Sequence, residues 1–149
     1  MFCWFKFTSL MSSSSLGGGL VSTHYHTTNN GTGITIKYIS STTGYLSVNT
    51  GNGSSRTYNT YCGTTLLQAN TWYHGGFTYD GTNIKIYVNG NLEKTQAYAN
   101  MSMPENYIGL FVWSLNSTIP YTNYKLNGFL NDVRIYNHCL SPKEIKKIS

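Results

Sequence analysis

Residues 75–90, with the sequence GGFTYDGTNIKIYVNG, place two turn signals around an alternating apolar segment. Asp80-Gly81 and Asn89-Gly90 are dipeptides that accept the positive φ angles of tight hairpin turns. Between them, apolar side chains occupy every second position, at Ile84, Ile86 and Val88. Because alternate residues of a strand share one face, the segment predicts a β-meander with one face in a core. A β-meander is antiparallel, so the segment indicates a fold built on an antiparallel sheet.

Further segments have the length and composition of strands. FCWFKF (residues 2–7) is apolar on both faces, which predicts a strand buried on two sides. The other predicted strands are VSTHYHT (21–27), GITIKYI (33–39), YLSV (45–48), YIGLFVW (107–113) and GFLNDVRIY (128–136). In the last of these, three residues are predicted to share the core face: Phe129, Val133 and Ile135. The tryptophans Trp4 and Trp72 are predicted to lie in the core.

Three segments rich in Gly, Ser, Thr and Asn have no apolar period and are predicted to be loops. They are SSSSLGGG (12–19), NTGNGSSRTYNTYCG (49–63) and LNSTIPYTNYKLN (115–127). The second of them could equally be a weak pair of edge strands. A turn is also expected near Gly44, before the predicted strand that contains Leu46 and Val48.

The C-terminal segment predicts the one helix. Ser141 as N-cap, Pro142 at the first helical position and Glu144 three residues after the cap form a capping box. Leu140 and Ile145 can close a hydrophobic staple across it. One short helix after about ten strands predicts an antiparallel all-β sandwich.

Composition limits the classes of function. At 149 residues the chain is predicted to be one domain, residues 1–149. The net charge of +5 reflects only five acidic residues, and the lysines are scattered, so no nucleic-acid partner is expected. The sequence shows neither a transmembrane run nor a signal peptide, so no membrane insertion is expected. Three cysteines without CxxC spacing predict small buried or half-buried thiols, with no disulfide framework or zinc site.

The order of several motifs resembles a known family. The motifs are WYHGGFTYDGTNIKIYVNG (72–90), YIGL (107–110) and LNGFLNDVRIYNHCLSPKEI (126–145), with FCWFK (2–6) similar to the family's SFWVK strand. Together they resemble the laminin-G-like branch of the concanavalin A-like lectin/glucanase superfamily. The resemblance spans nearly the whole chain and is weakest between residues 10 and 70. It implies a jelly-roll β-sandwich.

The resemblance also implies a function. Many such domains are non-catalytic carbohydrate-binding or adhesion modules of phage tail and bacterial surface proteins. We therefore expect a glycan or cell-surface polysaccharide as partner, in a virion or at a cell surface. The family usually has strands before SFWVK, so we expect that these are missing here or supplied by a neighbouring chain. Members often bind calcium, and Asp132 matches a position near that site, although Asn131 replaces the neighbouring acid.

Catalysis is not expected from the distribution of acidic residues. Glycosidases need two carboxylates close together, and the superfamily's hydrolases place acids two residues apart on one strand. No two acids here have that spacing: Asp80 is predicted in a turn, Glu144 in the cap and Asp132 beside Arg134. A degenerate glucanase-like enzyme is the least favoured alternative. His24 and His26 could bind a metal, but two ligands without a third predict only exposed strand histidines.

Sugar binding needs aromatic faces that stack on a pyranose, together with amides and hydroxyls that bind its hydroxyl groups. Aromatic and amide residues in or beside the predicted loops supply that mixture. The candidates are Trp113, Tyr121, Tyr124, Tyr58, Tyr61 and Asn116. The alternative from another class is a structural or assembly domain that binds protein partners, such as neighbouring chains of a virion or surface assembly.

Overall fold

The computed structural model describes most of the chain. The described residues are 1–10, 16–23, 29–102, 108–111, 115–116, 119–120 and 126–149. The strands within them are β1 (Phe2–Leu10), β2 (Leu16–Ser22), β3 (Thr32–Ser40), β4 (Thr43–Gly51), β5 (Arg56–Gln68), β6 (Tyr73–Tyr79), β7 (Asn83–Val88), β8 (Asn91–Ala97), β9 (Gly109–Leu110), β10 (Leu115–Asn116), β11 (Ile119–Pro120) and β12 (Leu126–Arg134). The helix α1 covers Pro142–Ile148.

Two five-stranded antiparallel sheets form the sandwich. The first sheet has the order β12–β1–β6–β7–β8 and the second has the order β5–β4–β3–β2–β9. The short strands β10 and β11 pair with each other. This arrangement confirms the predicted antiparallel all-β sandwich with one short C-terminal helix.

The predicted meander is formed by β6, β7 and β8. Its first turn has Gly81 at φ +95°, and the Asp80 carboxylate accepts hydrogen bonds from the backbone amides of Thr82 and Asn83. These bonds lower the pKa of Asp80 well below its usual range. The second turn has Asn89 and Gly90 at φ +49° and +74°. Both turns therefore have the positive φ angles that their dipeptides predict.

The core lies between the two sheets. It is built from inward-facing side chains without solvent exposure, among them Phe5 and Phe7 of β1, Ile84 and Ile86 of β7, Ile34 and Ile36 of β3, and Leu46 and Val48 of β4. Cys3 lies in the same core, where burial raises the pKa of its thiol to about 12 and makes it a poor nucleophile. Cys62 is half-buried, whereas Cys139 is exposed rather than buried as predicted.

All three predicted loops differ in part from the structure, and within 115–127 the described residues belong to β10, β11 and the start of β12. Residues 16–19 of the Gly-rich segment belong to β2, because their backbone pairs with β3. The segment 49–63 contains the end of β4 and the first part of β5, which lies at the edge of the second sheet. The edge-strand alternative is therefore correct for β5, whereas β4 is an inner strand and residues 52–55 connect the two. The turn before β4 lies at Ser41 and Thr42, so Gly44 is already within the strand.

The predicted core face of β12 is wrong because the strand contains a β-bulge. Phe2 is opposite Arg134 while Trp4 is opposite Asn131, so three residues of β12 span two residues of β1. Asp132 is the extra residue and has φ +50°. A bulge reverses the alternation of side chains beyond it. Consequently Val133 packs on the core, whereas Phe129 faces outward and is 54% exposed.

The helix covers one part of the outer face of the first sheet. The Ser141 hydroxyl accepts a bond from the Glu144 amide, and the Glu144 carboxylate accepts one from the Ser141 amide, which confirms the capping box. Leu140 and Ile145 pack against Phe2 and Tyr87 of the sheet and form one buried apolar cluster with them. We call these four residues the helix cluster. The rest of this outer face is not covered by α1.

Candidate functional site

The uncovered part of the first sheet's outer face carries a group of aromatic side chains. Trp4 of β1 lies between Asn131 of β12 and His74 of β6 in register, and Lys6 is opposite Phe129. These outward positions alternate with the core residues of the same strands. We call Trp4, Lys6, Trp72, Phe129 and Asn131 together the aromatic face.

The aromatic face is open to solvent. Trp72 is 41% exposed and Phe129 is 54% exposed, while Trp4 is half-buried. The prediction that Trp4 and Trp72 lie in the core is therefore wrong. Trp4 alternates with the core residues Cys3 and Phe5, so its side chain leaves the opposite side of β1, and it is not part of the cluster under the described helix α1. The signal that sequence reasoning missed is Lys6, two residues after Trp4, because a lysine marks a face that reaches water.

The side chains of the aromatic face contact one another. The ring centroids of Trp72 and Phe129 are 6.5 Å apart and their planes are tilted by 46°. The Lys6 ammonium lies 5.3 Å from the Trp72 centroid and 4.9 Å from the Phe129 centroid, within the range of a cation–π interaction. These contacts hold the three side chains together at the surface.

A shallow depression lies beside this cluster. Its volume is about 280 Å³, and it is lined by Trp4, Trp72, Asn131 and Asp132. That volume is near the lower limit of small-molecule sites, so it suits one or two sugar units rather than a large ligand. Its walls combine two indole rings with an amide and a carboxylate.

The side chain of Trp4 contacts a buried histidine, His74. Its indole centroid is 5.4 Å from the His74 ring, and His74 also stacks on Phe2 at 5.5 Å. His74 is only 2% exposed, and burial lowers its pKa. The neutral imidazole therefore lies between Trp4 and Phe2 and separates the aromatic face from the helix cluster.

Asp132 is engaged by Arg134. Its two carboxylate oxygens accept bonds from Nε and Nη2 of Arg134, each at 2.7 Å. This pairing confirms the predicted proximity of Asp132 and Arg134, and it lowers the pKa of Asp132. Within the described ranges, no three His, Cys, Asp or Glu side chains come together as a metal site. A calcium ion at Asp132 would have to compete with the guanidinium, so the calcium site stays a prediction that this pairing does not favour.

The other described carboxylates are also engaged. Glu93 of β8 accepts bonds from the amides of Thr64 and Thr65 at 2.8 and 3.1 Å, and from the Thr65 hydroxyl, which ties β8 to β5. Glu144 belongs to the capping box, and Asp80 to the turn, where it also pairs with Lys85. Each described carboxylate has a structural role, so none of them forms the pair that glycoside hydrolysis requires.

Most of the loop residues predicted to bind sugar lie outside the described part of the structure. Trp113, Tyr121 and Tyr124 lie there, as do His24 and His26. Tyr58 and Asn116 have described backbone positions, in β5 and β10, and their side chains are also outside the described part. Their roles stay predictions.

Tyr61 lies in β5 rather than in a loop. It is opposite Val48, packs against the core and forms an edge-to-face contact with Tyr98 at 5.8 Å. This contact engages part of the ring that would otherwise be free to stack on a ligand. The structure therefore places Tyr61 on the inner side of the second sheet, away from the aromatic face.

The outer side of the second sheet has a different character. Thr35 and Ser47 are opposite each other there and alternate with core isoleucines, and both are buried, as is Asn49. The Asn49 amide donates to the Thr35 hydroxyl at 3.1 Å. Among the described residues, the Ser47 hydroxyl has no hydrogen-bond partner. The hydrogen-bonding groups of this polar row are buried, and the half-buried pair Lys37 and Tyr45 continues the same side of the sheet.

A second depression, of about 250 Å³, lies at the end of the first sheet. Its lining includes Phe2, Phe77, Tyr136, His138 and Cys139. His138 contacts Asn137 and the ring of Tyr136, so the structure provides no Cys-His catalytic arrangement from these described groups.

No described helix is long and apolar enough to cross a membrane.

Comparisons with known proteins agree with this fold. A laminin G family model, described as the concanavalin A-like lectin/glucanases superfamily, matches residues 2–146. No curated protein matches the chain significantly. One similar solved structure is a protein from Bacteroides ovatus that was provisionally named a carbohydrate binding protein. It has 16% identity and a TM-score of 0.67 over 98% of this chain.

Another similar solved structure is domain 4 of AbnA, a GH43 extracellular arabinanase from Geobacillus stearothermophilus, in complex with arabinotriose. It has 18% identity and a TM-score of 0.62 over 99% of this chain. The present chain spans 39% of the Bacteroides protein and 64% of the AbnA chain. At such identities the similarity shows the fold, and the aromatic face described above is a feature of this chain.

Proposed function

Because the chain belongs to the laminin-G-like group of the concanavalin A-like lectin/glucanase superfamily, we propose that it is a non-catalytic carbohydrate-binding module whose ligand lies on the aromatic face. The observation that carries this proposal is the exposure of Trp72 and Phe129 beside the depression at Trp4. A contiguous exposed patch of large apolar side chains often marks a site for a ligand or partner, whereas singly exposed ones are common. The name given to the Bacteroides protein and the arabinotriose in complex with the AbnA domain support the same class of ligand.

The chemistry of the aromatic face suits a sugar. A pyranose or furanose ring presents C–H groups on one side, which stack on an indole, and hydroxyl groups at its rim, which need hydrogen-bond partners. Trp4 and Trp72 supply the stacking surfaces, and the Asn131 amide can donate to and accept from hydroxyl groups. The described carboxylates are engaged in structural bonds, so binding without chemistry is the activity that these residues support.

The biological setting that we propose is a phage tail or a bacterial surface protein, where such a module would hold a cell-surface polysaccharide. This setting follows from the family resemblance. The alternative is an assembly domain that uses the same exposed aromatic side chains to bind a neighbouring protein chain.

The test is a glycan array followed by titration calorimetry with the best oligosaccharide, with arabinotriose included as a probe. Trp72→Ala should weaken binding about tenfold, because one stacking surface is lost. The matched control is Leu66→Ala, since Leu66 is 42% exposed but lies on the second sheet. Binding by Leu66→Ala should equal that of the unmodified chain.

Three results would count against the proposal. If the folded chain binds no glycan on the array, the assembly-domain alternative gains. If Leu66→Ala and Trp72→Ala weaken binding equally, the ligand is not on the aromatic face. If Tyr45→Ala weakens binding while Trp72→Ala does not, the outer side of the second sheet, where Tyr45 is half-buried, is the site instead.

A further inference from the structure

We infer that the aromatic face selects sugars that carry a carboxylate, with Lys6 as the residue that recognises this group. The inference rests on the proposed function, because it names the class of sugar that the same face would take. It follows from the position of Lys6, from the charges around it, and from the place of a carboxylate on a sugar ring.

The position of Lys6 is restricted by two rings. Its ammonium lies 5.3 Å from the Trp72 centroid and 4.9 Å from the Phe129 centroid, and its side chain is half-buried. A lysine on an open surface loses side-chain entropy when it binds a ligand. The two ring contacts restrict Lys6 in advance, so less entropy remains to be lost. The ammonium has three donors, of which the ring faces use some and a ligand can use the rest.

The charge of Lys6 is not matched by a described carboxylate. The ion pairs among the described residues are Lys85 with Asp80 and Arg134 with Asp132, and neither includes Lys6. Asp132 lines the same depression, but Arg134 holds both of its oxygens and makes that pair neutral overall. The local charge of the aromatic face is therefore that of Lys6.

The carboxylate of a uronate bound beside Trp4 lies within reach of the Lys6 ammonium. Lys6 leaves the same face of β1 two residues after Trp4, which is about 7 Å along the strand. The carboxylate of a uronate is the exocyclic group at the rim of the ring, in place of a hydroxymethyl group. A sugar that stacks in the depression at Trp4 and Trp72 can therefore direct its carboxylate to the ammonium. A charge-assisted hydrogen bond is about twice as strong as one to a neutral hydroxyl.

The whole chain adds to this preference at long range. Its net charge is +5 at pH 7, which attracts a polyanionic glycan before contact. Such attraction weakens as salt rises, whereas the direct contact between Lys6 and a bound carboxylate is screened less. The two contributions can be separated by ionic strength.

The experiment compares matched pairs of oligosaccharides on one array at 0.15 M salt. The probes are oligomers of galacturonate, glucuronate and mannuronate, each beside its neutral methyl ester. The unmodified chain should bind the acidic member of its preferred pair about three- to tenfold more tightly, as expected for one partly exposed ion pair. Lys6→Met should abolish this preference, so that acid and ester bind with equal affinity, because the methionine keeps the apolar stem against the rings and removes only the charge.

The control is Lys37→Met, which removes the same charge from a half-buried lysine of the second sheet. It should retain the preference. If Lys37→Met loses the preference as much as Lys6→Met does, net charge rather than Lys6 is responsible and the inference falls. If Lys6→Met does not fold, Lys6→Gln provides the same comparison.

The outcomes distinguish the inference from the proposed function. Equal affinity for acid and ester, or binding of neutral glycans alone, overturns the inference and leaves the carbohydrate-binding module standing. Absence of binding to every glycan overturns both. A preference for the acid that disappears in Lys6→Met and persists in Lys37→Met supports both.

Discussion

The outer face of the first sheet has two neighbouring regions that both carry aromatic side chains but differ in solvent exposure. In the region under the helix, Phe2 and Ile145 are fully buried and Tyr87 is 3% exposed. In the neighbouring region Trp72 is 41% exposed and Phe129 is 54% exposed. Strand β1 contributes to both, with Phe2 in the covered region and Lys6 in the open one. One face of one sheet is therefore a core at one end and a surface at the other.

The covered region contributes mainly to the free energy of folding, whereas the open region retains exposed apolar area. Covered aromatic side chains are removed from water and contribute to the free energy of folding in proportion to the buried apolar area. Open ones contribute much less, and they keep apolar area that a ligand can bury. Gly76 makes the covered region possible, since a Cβ there would lie 2.5 Å from Cδ1 of the Phe2 ring.

Truncation of one phenylalanine in each region should give the largest contrast. Phe2→Ala should lower the free energy of unfolding by about 3 to 5 kcal/mol, because it leaves a cavity under the helix. Phe129→Ala should lower it by less than about 1 kcal/mol, because the ring is largely in water already. Urea denaturation of both variants measures the difference. Similar losses for the two would show that the open region is covered in solution.

The pH dependence of stability should arise in part at the boundary between the regions. Burial lowers the pKa of His74 below its ordinary value of 6.5, with Asp132 opposing and Arg134 reinforcing the shift. Above about pH 6.5 both folded and unfolded states are neutral at this residue and its contribution is fully present. As pH falls further, the unfolded state takes up the proton first, so stability declines by at most about 1.4 kcal/mol per pH unit.

Two urea series over pH 4 to 8 isolate this contribution. His74→Phe keeps a ring against Phe2 and cannot titrate. Other groups, including the Met1 amine, whose pKa burial lowers to about 5, are common to both proteins and cancel in the difference. The difference between the two profiles should grow as pH falls below 6.5. Parallel profiles would mean that His74 is accessible to protons in the folded state.

The smallest expected effect concerns attachment of the helix. Ser141→Ala removes the N-cap and should lower the free energy of unfolding by about 1 kcal/mol. The substitution should destabilise only the helix and the side chains it covers, so glycan binding at the proposed site beside Trp72 should not change. Hydrogen exchange can verify this by faster exchange in residues 142–148 with unchanged exchange in β1 and β12. Weaker glycan binding by this variant would show that the two regions are coupled.

Local signals in the sequence predicted much of this fold. The alternation in β7, the turn dipeptides on either side of it and the capping box each depend on neighbouring residues, and each was confirmed. The candidate site was predicted less well. Trp4 and Trp72 were assigned to the core, and Phe129 was placed on the core face of β12. Those assignments depend on what lies above a strand and on the bulge at Asp132, and neither has a reliable local signal.

The alternating residues, the hairpin turns and the start of the helix follow from the amino-acid sequence alone, as does the wide spacing of the few acidic residues. These properties depend on backbone conformation and on spacing within a few residues. Which outward-facing aromatic side chains are covered follows instead from long-range packing. That outcome depends on where α1 returns across the sheet and on the register between β1 and β12, which join residues more than a hundred positions apart. The exposure of the aromatic face, and with it the proposed site, is a consequence of that long-range packing.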